Sequence, residues 1–354
     1  MAQHNPRNIL VTGGAGFIGA NFVHYFLARY PAARIVVLDA LTYAGNFENL
    51  RPVADGPNFS FVHGDIRDYD LVMSLLMDNE IDTLVHFAAE SHVDRSIQGP
   101  DAFIETNVTG THILLKAAKA CWLETGTGSP HRFHHVSTDE VYGTLAPNDP
   151  AFSEDTPYRP NSPYAASKAS SDHLVRAYHR TYGLITTLSN CSNNYGPYQF
   201  PEKLIPLAIA RIVDGGEIPV YGDGRQIRDW LYVADHNAGI DVILRNGVPG
   251  ETYNIGGNNE IANIDIIHCI CDLLEDRYPG ARDRIVHVTD RPGHDRRYAI
   301  NAGKIRRELG FAPAETFDTG IRKTIQWYLE NQDWWRSVMD GSYRQWIQAN
   351  YDNR

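Results

Sequence analysis

The stretch Gly13-Gly14-Ala15-Gly16-Phe17-Ile18-Gly19 limits what this chain can fold into more than any other. It follows the apolar run Ile9-Leu10-Val11, which reads as a buried strand, and it opens a helical stretch over 16–30. Glycines at 13, 16 and 19 give the spacing G-x-x-G-x-x-G. Such a loop allows a tight turn, close approach of backbone to a pyrophosphate, and close packing of helix on strand. The helix N-terminus, with Phe17 and Ile18 in its first turn, then offers N–H groups and a partial positive charge to phosphates. Asp39 closes the second apolar run twenty residues beyond Gly19, where an acid bonds ribose hydroxyls. Neither Ala40 nor Leu41 is basic. A 2′-phosphate would meet Asp39 uncompensated, so NAD is expected over NADP.

Apolar strand-like runs at 7–12, 33–39, 59–63, 83–88 and 133–137 alternate with helical stretches that include 69–79 and 101–121. Alternation of this kind predicts a parallel sheet with helices on both faces. Asp65 and Ile66 follow the third run and are placed to bracket an adenine. Phe87, Ala88 and Ala89 follow the fourth and are placed beneath a diphosphate and nicotinamide. From Phe200 onward the runs are broken by Gly-Asp-Gly and Arg-Pro-Gly turns, with helical patterns at 264–277 and in the Trp-rich stretch 327–346. The expected architecture is α/β. A doubly wound dinucleotide-binding domain covers 1–200 with a return segment near 229–262, and a smaller mixed α/β lobe takes 201–228 and 263–354. A chain of 354 residues is long enough for both.

A formal charge of −11 argues against a nucleic-acid partner, which requires a basic face. No apolar run reaches 18 residues, so no membrane span is expected, and residues 1–8 do not read as a signal peptide. Cys121, Cys191, Cys269 and Cys271 lack zinc or redox spacing and read as free thiols of a cytoplasmic protein. His131, His134 and His135 straddle the two faces of a strand, so no metal is expected.

Thr138-Asp139-Glu140 is followed twenty-four residues later by Tyr164-Ala165-Ala166-Ser167-Lys168. Tyr and Lys four apart share one helix face. The ammonium there can favour the phenolate and make Tyr164 a base near neutral pH. Oxidation of an alcohol needs one base and no carboxylate. The acid pair therefore implies a further proton-transfer step, such as elimination of water. Neighbouring acids in a regular strand would point to opposite faces, so the strand is expected to end at Thr138 with the acids on a turn.

With these residues the chain resembles the extended short-chain dehydrogenase/reductases of Rossmann type, and more narrowly the dTDP-glucose 4,6-dehydratases. The matching motifs are T-G-G-A-G-F-I-G (12–19), D-A-L-T-Y-A-G-N (39–46), F-A-A-E-S-H-V-D-R-S-I (87–97), Thr106-Asn107, S-T-D-E-V-Y-G (137–143), Tyr164 to Lys168 and N-N-Y-G-P (193–197). P-E-K-L-I-P (201–206), Y-G-D-G-R-Q-I-R-D-W-L-Y-V-A-D-H (221–236) and D-R-P-G-H-D-R-R-Y (290–298) complete the set. The resemblance implies that Tyr164 is the base for oxidation at C4, with Lys168 its partner and a ligand of the nicotinamide ribose. Thr138 would hold the 4-hydroxyl, Asp139 would protonate the C6 hydroxyl and Glu140 would take the C5 proton. Leu41, Thr42, Thr106 and Asn194 would join the NAD site. Ser91, Asn193, Lys203, Leu204, Pro219, Tyr221, Arg228, Asn263, Arg291 and His294 would line the site for dTDP-glucose, Arg228 and Arg291 facing its diphosphate. A homodimer packed through the helices at 101–121 and 162–181 is implied in the same way.

A 4,6-dehydratase of UDP or CDP sugars shares these motifs, and a nucleotide-sugar epimerase shares the glycine loop and the Tyr/Lys pair without the acids. A non-catalytic NAD-binding sensor would be expected to lose Tyr or Lys, and both are present. Asp39→Ala should weaken NAD binding and relax discrimination against NADP, because the carboxylate is expected to contact ribose hydroxyls and repel a 2′-phosphate. Titration of the purified variant with both nucleotides checks this, and unchanged NAD affinity would remove Asp39 from that role.

Overall fold

The computed structural model describes residues 3–125, 130–290 and 293–339. Seven parallel strands form the main sheet. They are β1 (Asn8–Thr12), β2 (Arg34–Asp39), β3 (Phe59–His63), β4 (Thr83–His86), β5 (Arg132–Thr138), β6 (Thr186–Cys191) and, after three strands outside this sheet, β10 (Thr252–Ile255). Their order is β10-β6-β5-β4-β1-β2-β3. The chain winds outward from β1 in one direction through β3 and in the other from β4, so the crevice lies between β1 and β4 at their carboxyl ends. Register brings those ends level: Thr12 pairs with Leu38 on one side and with His86 on the other, and Thr138 pairs with Cys191.

Alternation along the strands builds the two faces. Ile9, Val11, Ile35 and Val37 enter one core with Phe22 and Phe26 of the helix Phe17–Arg29 and with Ile240, Ile243 and Leu244 of the helix Val233–Asn246. Leu10, Val36, Leu38 and Leu84 enter the opposite core with Val72, Leu114, Leu115 and Val175. These side chains are all but sealed from solvent, and each contributes roughly 1.5–3 kcal/mol of transfer free energy. Burial on both faces explains why the strands read as near-continuous apolar runs.

The second half carries the remaining strands: β7 (Asn193–Tyr195), β8 (Ile218–Tyr221), β9 (Ile227–Tyr232), β11 (Glu260–Ala262) and β12 (Ile285–Val288). They form a three-stranded sheet, β11-β9-β7, and a two-stranded one, β12-β8. A separate core of Tyr195, Ile209, Ile212, Ile218, Ile266, Ile270, Ile321, Tyr328 and Trp335 fills this part. Between β9 and β11 the chain returns to the main sheet through Val233–Asn246 and β10, which pairs with β6.

Two local features differ from the simple periodic reading. Residues 101–124 are helical throughout, but Ile104–Gly110 and Ala120–Glu124 are wide π-type turns rather than α-helix. The first holds Asn107, whose side chain exchanges hydrogen bonds with the Glu90 backbone (both 2.9 Å) instead of serving the helix. At its end a Cβ on Gly110 would lie 2.5 Å from Ile66 Cδ1, so helix and strand-end loop meet there without space for a side chain. Toward the C-terminus, Phe317–Glu330 and Gln332–Val338 are separate helices that break at Asn331, and positions 340–346 of the expected Trp-rich helix lie outside the described residues. Among the described residues no helix is long and apolar enough to cross a membrane, and no group of His, Cys, Asp and Glu could hold a metal. The four cysteines are free.

Candidate active site

Above the β1–β4 crevice, backbone geometry explains two of the loop's glycines. Gly13 has φ +70°, and a Cβ there would lie 2.5 Å from the Ala88 nitrogen. A Cβ on Gly19 would lie 2.3 Å from the Gly13 carbonyl oxygen, so the helix could not seat on the loop. Gly16 is different. Its Cβ would meet nothing nearer than 3.4 Å, and its bare backbone lines the cavity. The helix it opens has no side-chain cap, which leaves first-turn N–H groups for an anion.

Asp39 clamps this loop. Its Oδ2 accepts from the Ala15 amide and its Oδ1 from the Leu41 amide, both at 2.8 Å. Burial raises its pKa, and the two amides pull against that. Leu41 takes φ +49° in the turn that follows, and a Cβ on Gly45 would press to 2.7 Å from Asp39 Oδ1. The loop after β2 is thereby folded over the carboxylate. A dinucleotide fits this cradle: bare glycine backbone, open amides and an acid at the strand end.

One cavity of about 470 Å³ runs from this cradle to the end of β5. It gathers Gly13, Gly16, Phe17, Ile18, Gly19, Asp39, Thr42, Asp65, Ile66, Phe87, Ala88, Ala89, Thr106, Asn194, Tyr164 and Lys168, every expected cofactor residue except Leu41. Ser91, Thr138, Asp139, Glu140, Asn193 and Lys203 line it too. Asp65 is tied to Arg67 at 2.7 Å, and Arg67 in turn to Glu105 at 2.6 Å.

β5 ends at Thr138, and Asp139–Tyr142 form a 3₁₀ turn. The Thr138 hydroxyl accepts from the Glu140 amide at 3.3 Å and donates to Asp139 Oδ1 at 3.4 Å. Asp139 is 2% exposed. Burial pushes its carboxyl well above the usual range, and the charges of Glu140 and Asp229 add to this while Arg228 opposes it. Tyr164 reaches the same place from the helix Pro163–Tyr182. That helix is capped by the Ser162 side chain on the Ala165 amide, with Pro163 in its first turn, and closed by Gly183 at φ +74°.

Electrostatics at Tyr164 depart from the simple Tyr/Lys picture. Burial and the Glu140 carboxylate raise the phenol well above its ordinary value. The Lys168 ammonium donates to the Val136 carbonyl at 2.9 Å and lies 3.4 Å from His135 Nε2. Burial lowers it to about 8, with Asp172 opposing. Asp172 stands one turn beyond Lys168, fully buried, and accepts from Ser137 Oγ and Tyr158 Oη at 2.9 Å each. Burial pushes it up to about 6. Sequence reasoning assigned no role to Asp172, although its i+4 spacing from Lys168 was available as a signal. Nor did it single out Glu202, which lines the cavity and is pushed up to about 7 by burial, with Lys203 and Arg95 opposing.

The remaining expected substrate residues stand outside this cavity's lining. Leu204 heads the helix Leu204–Val213, Pro219 and Tyr221 lie on β8, and Asn263 heads Asn263–Leu274. Tyr221 donates to Asp94 Oδ2 at 3.0 Å, and His294 Nδ1 sits 2.6 Å from Asp290 Oδ1. Arg228 donates to the carbonyls of Ile227 and Asp295 and stacks 4.3 Å over the Tyr298 ring. Arg291 lies outside the described residues.

Glycine cradle, Tyr/Lys helix and buried acid turn, opening into one cavity, define a dinucleotide-dependent enzyme equipped for both redox and proton-transfer chemistry. The sequence pattern of the GDP-mannose 4,6 dehydratase family matches residues 10–324. The chain is 53% identical over 359 residues to a dTDP-glucose 4,6-dehydratase of Salmonella typhimurium, covering 98% of this chain and 99% of that one. It is 56% identical over 342 residues to one from Xanthomonas campestris, covering 95% and 97%. DesIV, a dTDP-glucose 4,6-dehydratase from Streptomyces venezuelae crystallised with NAD bound, superposes with a TM-score of 0.87 at 50% identity, over 94% of this chain and 99% of its own. This chain belongs to the GDP-mannose 4,6 dehydratase family and, at this identity and coverage, to its dTDP-glucose 4,6-dehydratases.

Burial of Asp139 predicts a stability cost with a definite sign. Its folded pKa lies above the unfolded value, so both states are protonated at low pH and nothing is lost there. As pH rises past the unfolded value only the unfolded chain ionises, and stability falls until the folded pKa is reached. Asp139→Asn should therefore melt with the parent near pH 4 and above it at pH 7–8, the gap growing by at most about 1.4 kcal/mol per pH unit. Thermal melts across pH check this, and a gap independent of pH would contradict it.

Proposed function

We propose that this chain converts dTDP-glucose to dTDP-4-keto-6-deoxyglucose with NAD, a hydro-lyase step in the synthesis of deoxysugars such as rhamnose. The observation that carries this reading is that buried Thr138 and Asp139, half-buried Glu140 and Tyr164 line the one cavity that the glycine cradle opens into. A hydroxyl at C6 is a poor leaving group and the C5 proton is barely acidic. A ketone at C4 changes both, because C5–H then lies α to a carbonyl.

Gly13, Gly16, Gly19 and Asp39 would hold the dinucleotide, and Lys168 its nicotinamide ribose. When bound, NAD would supply reversible hydride acceptance for the sugar and a positive charge that would favour the Tyr164 phenolate. Thr138 holds the 4-hydroxyl while Tyr164 takes its proton. Glu140 removes the C5 proton, and Asp139, kept neutral by its burial, protonates the departing C6 hydroxyl. Glu140 then returns a proton to C5. Arg228 and Lys203 are the cations we assign to the nucleotide diphosphate, as guanidinium and ammonium pair with phosphate oxygens, with Arg291 as a third. Ser91, Asn193, Leu204, Pro219, Tyr221, Asn263 and His294 complete the sugar-nucleotide site in this reading. We also read the chain as a cytoplasmic homodimer. Ala166 and Ser170, one turn apart on the helix Pro163–Tyr182, are exposed, as is Ile104.

Incubation with dTDP-, UDP- and CDP-glucose, followed by the alkali-induced absorbance of the 4-keto product, tests the substrate. Turnover should be fastest with dTDP-glucose. In rapid-quench single turnovers, Tyr164→Phe should stop C4 oxidation, while Asp139→Asn and Glu140→Gln should slow elimination roughly 10²–10⁴-fold and leave oxidation intact. Loss of the 4-keto hexose intermediate in Glu140→Gln would refute the division of labour.

A further inference from the structure

Asp172 lies fully buried behind the cavity, one helical turn beyond Lys168. Its bearing on the reaction rests on the reading in which Lys168 holds the nicotinamide ribose beside Tyr164. A buried lysine needs a reason to stay charged, because removal from water favours the neutral amine. Lys168 places one proton on the Val136 carbonyl at 2.9 Å and has His135 Nε2 at 3.4 Å, while an ammonium has three protons to place.

Two ionisable groups act on this ammonium with the sign that keeps it charged, Asp172 and Cys191. Burial pushes the Cys191 thiol up to about 12, so it is neutral where Lys168, lowered to about 8, gives up its proton. Asp172 is pushed up only to about 6 and is ionised there. By elimination it is the counter-charge.

The carboxylate is held in place from several elements. Its Oδ2 accepts from Ser137 Oγ on β5 and from Tyr158 Oη ahead of the helix, both at 2.9 Å. Tyr158 Oη in turn accepts from Asn190 Nδ2 on β6 at 3.2 Å. Oδ1 has no hydrogen bond among the described residues and faces His135 Nε2 at 3.3 Å. Carboxylate and ammonium thus flank one ring nitrogen. The other titratable groups around the pair are Tyr142, Tyr158, His173 and His86. Burial keeps both phenols protonated and holds His86 and His135 neutral, and a histidine such as His173 supplies no negative charge. An exposed pair of this spacing would contribute little. Sealed from water, an opposite charge close by moves a pKa by about 1–3 units.

We propose that Asp172 is a positioning residue for the reaction: its carboxylate, anchored by Ser137 and Tyr158, keeps Lys168 an ammonium seated on β5, able to hold the ribose and favour the Tyr164 phenolate.

The test compares Asp172→Asn, which removes the charge and keeps the shape, with Asp172→Glu, which keeps the charge. Both are measured against the parent from pH 6 to pH 9 in two readouts, NAD affinity of protein freed of nucleotide and steady-state turnover of dTDP-glucose. Without its counter-charge Lys168 should lose its proton at lower pH. The Asp172→Asn deficit should be smallest at pH 6 and widen to about tenfold by pH 9, the worth of one pKa unit. Asp172→Glu should keep the parent's pH dependence, at whatever rate its longer side chain allows. A deficit equal at every pH is what a purely structural role gives, and it would overturn the proposal, as would an Asp172→Asn profile matching the parent's. Widening in NAD affinity without 4-keto product from the parent would uphold Asp172 and remove the dehydratase reading instead. Should Asp172→Asn not fold, Tyr158→Phe removes one hydrogen bond that keeps the carboxylate ionised. It should show a smaller deficit that likewise grows above pH 6, and no growth would overturn the proposal.

Discussion

Burying Asp139 beside a second carboxylate is the constraint on which the site depends. Two unit charges 4 Å apart interact by about 4 kcal/mol at the effective dielectric of a protein surface, and by more where water is excluded. Such a pair cannot both ionise cheaply, and the more deeply buried member keeps its proton. Asp139 is that member, with Asp229 behind it adding to the pressure. Asp229 in turn is held by the amides of Gly257 and Asn259 at 3.1 and 2.7 Å. The neutral acid is thus a property of several elements together, not of the turn alone.

Those elements are brought together by two sheets. The main sheet levels its carboxyl ends, so that the glycine loop, the loop after β4, and Thr138 open on one crevice. β7 leaves the end of β6 and pairs with β9, which carries Arg228 and Asp229 toward Asp139. The chain then re-enters the first core through β10 before completing the second. Neither core is finished until the crossing has been made in both directions, which fixes the acid turn between them.

What was legible in the sequence was local. The glycine spacing, the apolar runs and the end of β5 at Thr138 follow from turn chemistry and side-chain periodicity, and the structure has them within a few residues. Ser162, Pro163 and Gly183 frame the Tyr/Lys helix in the way their residue types favour. Less legible were features set by distant contacts. Asn107 widens a helical turn because Glu90 lies across from it, a partner no periodicity can reveal. Lys168 faces the β5 backbone rather than acting alone on Tyr164, since burial drives its ammonium to the nearest carbonyl. The short strands β7, β9 and β11 exist through one another, and their sequences carry little strand signal in isolation. Asp139 was recognisable as an acid on a turn, but that it is the buried member of its pair required the fold.

The central claim is that hydride leaves C4 and returns to C6 of one sugar, with proton transfers supplied by the chain. dTDP-glucose carrying deuterium at C4 tests it most directly, with the product analysed by mass spectrometry. Deuterium should appear in the C6 methyl group, and solvent deuterium at C5 when the reaction is run in heavy water. Label lost from the sugar, or NADH accumulating one per turnover, would contradict the claim and make the chain an ordinary dehydrogenase.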